Sequence, residues 1–260
     1  MRFIVILITL FIATVAVSQS ARERKQNTSS QLNLKGRVKK IVETEYNATV
    51  QYGTGDKLGY SIYVFNRQGN QIERGNYNPD GSMKTLKSIF KYNSQGQRIE
   101  TITVDQKGDS TTDKNAIGPI AVYTYDKNGN CTQWVSHMPN GEFANKVINK
   151  YDAFGNIIEY EFYTRNPDRW ATKAISKYDA HHHEIVHKAY IEDGSLLSTY
   201  THKYDSKGNE IEQLGYNTNG GLIFMETYKY AYDKNLNWTR KVIYKVNVLT
   251  SIVDREIKYY

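Results

Sequence analysis

The chain has 260 residues, of which 34 are basic and 27 acidic, for a formal net charge of +7. The two signs alternate along the chain instead of forming blocks, which argues against a nucleic-acid stripe and leaves at most a mild preference for anionic surfaces. Tyrosine is abundant (22) and proline scarce (4), and short Gly and Asn groups separate runs of Ile, Val, Thr and Tyr, the pattern of an all-β chain. The one cysteine, Cys131, excludes an intramolecular disulfide.

In chain order, the first segment has Arg2, an apolar run from Phe3 to Val17 and then small polar residues. It reads as a secretory signal peptide over 1–18 with a cut after Ser18, too short an apolar run for a spanning helix. The polar stretch 19–34 reads as a flexible tether. From there "KGRVKKIVETEY" (35–46) opens a β-repeat domain predicted to cover 35–260.

Within that domain an aromatic recurs at Phe65, Tyr92, Tyr125, Tyr151, Tyr178, Tyr204 and Tyr232, about 26 to 28 residues apart with one longer interval. Four positions later stands Gly69, Gly96, Gly129, Gly155 or Gly208, with His182 and Leu236 as exceptions, and Asn70, Asn130, Asn156 and Asn209 follow. Gly-Asn supplies the positive φ of a tight hairpin turn. A second glycine, at Gly81, Gly108, Gly141, Gly194 and Gly220, marks another turn in the unit. Each of about seven units is thus one antiparallel β-hairpin. Beyond each Gly-Asn turn, Ile72, Ile99, Ile158, Ile185 and Ile211 are out of phase with Tyr77, Tyr163, Tyr190 and Tyr216, which predicts a bulge or a strand seen from both sides. The longest interval holds "DKNAIGPIA" (113–121), expected as a loop. About fifteen strands exceed what an open twisted sheet holds without curling, so a curved or spiralling meander with capped ends is expected. No segment has a helical period.

The phrases "YTYDKNGN" (123–130), "NKYDAFGN" (149–156) and "HKYDSKGN" (202–209) resemble the Y-D-x-x-G-N core of YD repeats, also called RHS repeats. With "LKGRVKKIVETEY" near the start and "DREIKYY" at the end, the chain is similar to small exported YD-repeat proteins of Bacteroidetes-type bacteria. The resemblance implies a β-shell architecture, with carbohydrate binding in some members. The toxin encapsulation of large members is not implied for so short a chain, which lacks their self-cleaving core signature.

Several residue groups invite chemistry. His181, His182 and His183 replace turn residues, and His187 follows; imidazoles suit zinc, copper or nickel, and His183 and His187 share a strand face, but three histidines in a turn are commonly a solvated tract. They stay weak metal candidates, and no metal or other cofactor is expected. "DKNGN" (126–130) looks like the start of a calcium loop, yet His137 stands where the bidentate Glu belongs. Four N-x-[ST] triplets start at Asn27, Asn47, Asn130 and Asn237, as chance allows in an Asn-rich chain. Glu73, Glu100, Glu159 and Glu212 suggest paired catalytic carboxylates, but a repeat supplies such acids for solubility and cross-strand pairing. With no other catalytic constellation, no enzyme is expected. The tyrosines Tyr163, Tyr190, Tyr216, Tyr228 and Tyr230 are the candidate binding residues, since planar rings with hydroxyls suit an extended glycan or a protein partner. The expectation is an exported, non-catalytic β-scaffold (periplasmic, cell-surface or secreted) that binds a surface glycan or protein, without nucleic acid or stable membrane insertion. A purely structural envelope protein is the alternative, and an unrecognised secreted hydrolase the third reading.

Overall fold

A computed structural model of the chain describes residues 32–48, 54–105, 118–164 and 166–260. The expected signal peptide (1–18), most of the 19–34 tether and the 113–117 part of the expected loop lie outside the described residues. Strands follow one another as β1 (Val38–Ala48), β2 (Thr54–Phe65), β3 (Gln71–Tyr77), β4 (Lys87–Tyr92), β5 (Arg98–Val104), β6 (Ile120–Tyr125), β7 (Cys131–His137) and β8 (Phe143–Tyr151). They continue as β9 (Ile157–Thr164), β10 (Thr172–Tyr178), β11 (Glu184–Ile191), β12 (Leu196–Tyr204), β13 (Glu210–Tyr216), β14 (Leu222–Tyr232), β15 (Trp238–Lys245) and β16 (Val248–Tyr259). Each pairs antiparallel with the next, and the described residues hold no helix.

The hairpins are built as expected from their turns. After β6, Gly129 N–H donates to Asp126 O and Asp126 N–H to Asn130 O, with Gly129 at φ 82. This is a type I turn followed by a left-handed residue and a bulge. A further bulge, just past the turn, explains the parity slip seen in the sequence. Tyr151 pairs with Ile157 and Lys150 with Glu159, so Ile158 is the extra residue, and Ile72, Ile99, Ile185 and Ile211 hold the same place. Bulged residues leave the ladder, and Ile99 and Ile158 are accordingly exposed.

The meander does not spiral openly. β1 pairs with β16 from Val38↔Tyr259 to Asn47↔Ser251, so the 16 strands close into a barrel. This corrects the expected curved or spiralling sheet with capped ends. An open edge leaves a row of unpaired N–H and C=O groups, and closure satisfies both edges at once. The closing seam carries Arg255 against Glu43, with Nε to Oε1 at 3.0 Å, and Tyr260 OH donating to Phe65 O at 2.6 Å. The residues at the end of the expected tether are docked at one rim. Leu34 is buried with Val38, Ile41 and Phe65, and Asn33 Nδ2 donates to Lys207 O at 2.8 Å.

Alternate residues separate two walls. Val147, Asn149, Tyr200, Gln213 and Tyr228 are buried on the inner one, whereas Val122, Lys150, Lys203 and Lys229 stand exposed on the outer one. Bulky residues do lie on both faces: Ile89, Ile102 and Val104 form a buried outer patch with Ile120. Gly215 leaves room on the inner wall, where a Cβ would come within 2.8 Å of the Tyr200 ring.

Candidate functional site

The rim formed by the Gly-Asn turns carries the recurring Tyr and Asp. Each Asp accepts the backbone N–H groups two and four residues on: Asp152, for instance, takes Phe154 N–H at 2.8 Å and Asn156 N–H at 2.9 Å, while Asn156 Nδ2 reaches its second oxygen at 2.8 Å. Burial acts to raise the Asp152 carboxyl, but these hydrogen bonds together outweigh it and hold it below the ordinary value of 3.8. The tyrosine does a different task. Tyr92, Tyr125, Tyr151, Tyr178, Tyr204 and Tyr230 each donate their hydroxyl to a carbonyl of the preceding hairpin, namely Gln71, Arg98, Cys131, Ile157, Glu184 and Glu210, over 2.6–2.9 Å. In the last hairpin Tyr230 takes this part, and Tyr232 instead donates to Asp205 at 3.0 Å.

The histidine tract occupies the same turn. His182 stands in the glycine position at φ 66, and His183 replaces the asparagine, with Nδ1 3.2 Å from Asp179 Oδ2 and its ring stacked on Tyr204 at 4.6 Å. A cleft of about 1060 Å³ opens beside it, lined among others by His181, Tyr204, Lys207, Glu184 and His202. His183 and His187 are not brought together. His187 lies on the inner wall, where its Nδ1 is 3.0 Å from Glu184 Oε1. Among the described residues no three His, Cys, Asp or Glu side chains are arranged to hold a metal.

In the cluster around His187, Ser176 and Glu210 were not singled out by sequence. Ser176 donates to the same Glu184 oxygen and lies 3.5 Å from the same His187 Nδ1. A Ser-His-acid triad needs the nucleophile on the opposite ring nitrogen from the acid, so this arrangement lacks triad geometry. Next to it, Glu210 accepts from His202 Nδ1 at 2.6 Å, and His202 Nε2 is buried without a partner. Burial acts to raise the Glu184 carboxyl, but the His187 and Ser176 hydrogen bonds outweigh it and hold it low.

The five candidate tyrosines divide between the walls. Tyr228 and Tyr230 are on the inner one. Lys241 Nζ sits 3.8 Å over the Tyr228 ring, the Tyr228 hydroxyl donates to Glu226 at 2.8 Å, and Tyr230 packs against Trp238 at 5.9 Å between centroids. On the outer wall Tyr163 is buried beneath Lys146, whose Nζ is 3.9 Å from its ring, and donates to Glu161 at 2.8 Å. Burial first, then Glu161, pushes the Tyr163 phenol up to about 12. Tyr190 and Tyr216 differ. They are half-buried at corresponding places on β11 and β13, just before the second turn, and among the described residues no stacked ring or cation covers either.

Comparison with solved structures finds the fold similar to a porin-like protein from Bacteroides uniformis, with TM-score 0.56 and 10% identity over 85% of this chain and 96% of that one. At this identity the likeness shows the fold alone. A porin-like protein from Bacteroides vulgatus matches with TM-score 0.35 at 13% identity over 86% of this chain and 98% of that one. The TcdB2-TccC3-Cdc42 structure matches with TM-score 0.23 at 10% identity over 78% of this chain, which spans 13% of that one. Neither of these two likenesses is close enough to carry an argument. No protein-family model matches the chain, and no curated protein matches it.

Proposed function

We propose that this chain is an exported, non-catalytic barrel of the YD-repeat type that binds a surface glycan through Tyr190 and Tyr216. The observation that carries the reading is the contrast among the candidate tyrosines: Tyr163 and Tyr228 are capped by lysines, Tyr230 is packed, and Tyr190 and Tyr216 are half-buried on the outer wall with no stacked ring or capping cation among the described residues. They stand two strands apart and two residues apart in register, which sets their Cα atoms roughly 12 Å from each other across the sheet. That spacing suits alternate sugars of an extended chain, with ring faces for stacking and hydroxyls for hydrogen bonds.

The outer wall supports a water-facing barrel rather than one inserted in lipid. It carries Lys91 with Glu100 at 2.6 Å, Lys150 and Lys173 with Glu159 at 2.6 and 3.0 Å, Lys203 with Glu212 at 2.7 Å and Arg240 with Asp254 at 2.6 Å. A Lys or Arg on the lipid face of a membrane barrel costs about 2–4 kcal/mol at mid-depth, and a band of them is incompatible with hydrocarbon. Export itself rests on the apolar leader of the sequence.

Glycan-array binding by the chain starting at residue 19 tests the proposal. The wild type is expected to retain a defined oligosaccharide class, and the Tyr190→Ala, Tyr216→Ala double variant to lose it while melting at the wild-type temperature. Undiminished binding by that variant refutes the assignment. Capture of a protein but no glycan, lost in the same variant, replaces the glycan by a protein partner.

A further inference from the structure

A second site lies on the inner wall, independent of the outer tyrosines. Arg255 on β16 is 8% exposed, and its Nε and Nη2 both reach Glu43 Oε1, at 3.0 and 2.5 Å. Its guanidinium stacks on Trp238 at 3.4 Å, and its Nη1 is buried with no hydrogen-bond partner. On β15, Lys241 pairs across the strands with Val253, two residues before Arg255. Such diagonal neighbours share a face and are about 7–8 Å apart at Cα. The Lys241 ammonium rests on the Tyr228 ring, and among the described residues no carboxylate comes within ion-pair distance of it.

The carboxylates whose charge reaches Lys241 are already engaged. Glu210 accepts from His202 at 2.6 Å. Glu226 takes Lys245 at 3.2 Å and the Tyr228 hydroxyl at 2.8 Å, and Glu43 takes Arg255 and the Tyr63 hydroxyl at 3.1 Å. Desolvation lowers the Lys241 amine from its ordinary value, against the pull of these acids. A half-buried ammonium and a buried guanidinium N–H without acceptors are costly to keep, and here two of them adjoin on one wall. Closed barrels of 16–18 strands are wide enough to leave an aqueous channel, and this wall faces the barrel interior.

We infer that Lys241 Nζ and Arg255 Nη1 form a binding site for a carboxylate-bearing small molecule inside the barrel, its carbon body lying against Tyr230 and Trp238. One carboxylate offers an oxygen to each of the two donors, and charge-assisted hydrogen bonds of this kind are among the strong ones. The remaining guanidinium nitrogens stay with Glu43, so ligand and protein do not compete for the same donors. The two rings, packed on each other at 5.9 Å beside the guanidinium, border the site with apolar surface.

The test is titration calorimetry of the chain starting at residue 19 with glucuronate and with glucose, which share a ring and differ in the carboxylate. Glucuronate is expected to bind at least tenfold more tightly than glucose. Lys241→Met keeps the aliphatic stem over Tyr228 and removes the ammonium, so it is expected to lose at least tenfold in glucuronate affinity. Without ligand it is expected to melt at or above the wild-type temperature, because an uncompensated charge has been withdrawn from the wall. Absence of glucuronate binding to the wild type, equal binding of both sugars, or full affinity in the variant overturns the site. A lower melting temperature of the ligand-free variant also overturns it, since Lys241 then serves the fold.

Discussion

The two rims of the barrel use the same turn and differ in what the turn is attached to. At the opposite rim Gly81, Gly141, Gly194 and Gly220 repeat the positive φ, and Asp80, Asn140, Asp193 and Asn217 bond only within their own turns. At the Gly-Asn rim every turn after the first, which follows Phe65, carries in addition a tyrosine hydroxyl that crosses to the preceding hairpin, as Tyr151 does to Cys131 O at 2.6 Å. Turn chemistry therefore makes hairpins, and the tyrosine joins them into an array. The opposite rim is relieved of that task. It exposes Leu222, Ile223, Val246 and Val248 and holds the half-buried Tyr190 and Tyr216.

Removing a joining tyrosine is the largest way to break this contrast. Tyr151→Ala deletes a ring packed on Val147, Ile157, Tyr160 and Ala174 as well as the hydroxyl bond, and large aromatic truncations cost about 3–5 kcal/mol. Tyr151→Phe retains the ring and is expected to lose about 1 kcal/mol, the worth of one hydrogen bond. Urea unfolding of the two variants separates packing from the rim contact. Asp152→Ala comes next at about 1–2 kcal/mol, by analogy with loss of a helix cap, because three N–H groups lose their acceptor.

Acid acts on the same rim. Asp152, Asp179, Asp205 and Asp233 are all held below the ordinary 3.8, in each case because hydrogen bonds outweigh the opposing effect of burial. A depressed folded pKa contributes stability that is complete above the unfolded value and lost as pH falls through the folded one. The melting temperature is expected to hold down to about pH 4 and to fall below it, less steeply in Asp152→Ala.

Replacing "HHH" at 181–183 by "FGN" is expected to raise stability by about 0.5–1 kcal/mol, since glycine accepts the φ of 66 that His182 adopts and Asn restores the amide bond to Asp179. Asp193→Ala at the opposite rim is the smallest change. Its melting temperature should match the wild type, and a loss like that of Asp152→Ala would erase the difference between the rims.

The turns and bulges were legible because their signals are local. A Tyr, an Asp and a Gly-Asn within a few residues specify the loop, and the misplaced phase of Ile158 specifies the extra residue. Closure was not legible: Arg255 meets Glu43 across most of the chain, and neither β1 nor β16 carries a local mark of its partner. The division of tyrosines was hidden for a related reason. Tyr163 and Tyr190 each face a lysine across the strands, Lys146 and Lys173, but Lys146 lies over its ring while Lys173 turns to Glu159 and Glu161, a choice that composition does not express. The inner-wall pairs His202 with Glu210 and Lys241 with Arg255 are scattered in sequence and were missed altogether.

Limited tyrosine nitration read by peptide mass spectrometry tests most directly the claim that the tyrosines are divided between joining and display. The account predicts early modification at Tyr190 and Tyr216 and protection of Tyr151, Tyr178, Tyr204 and Tyr228 for as long as the barrel stays folded. Nitration of Tyr151, Tyr178 and Tyr204 at the rate of Tyr190 and Tyr216 would contradict it.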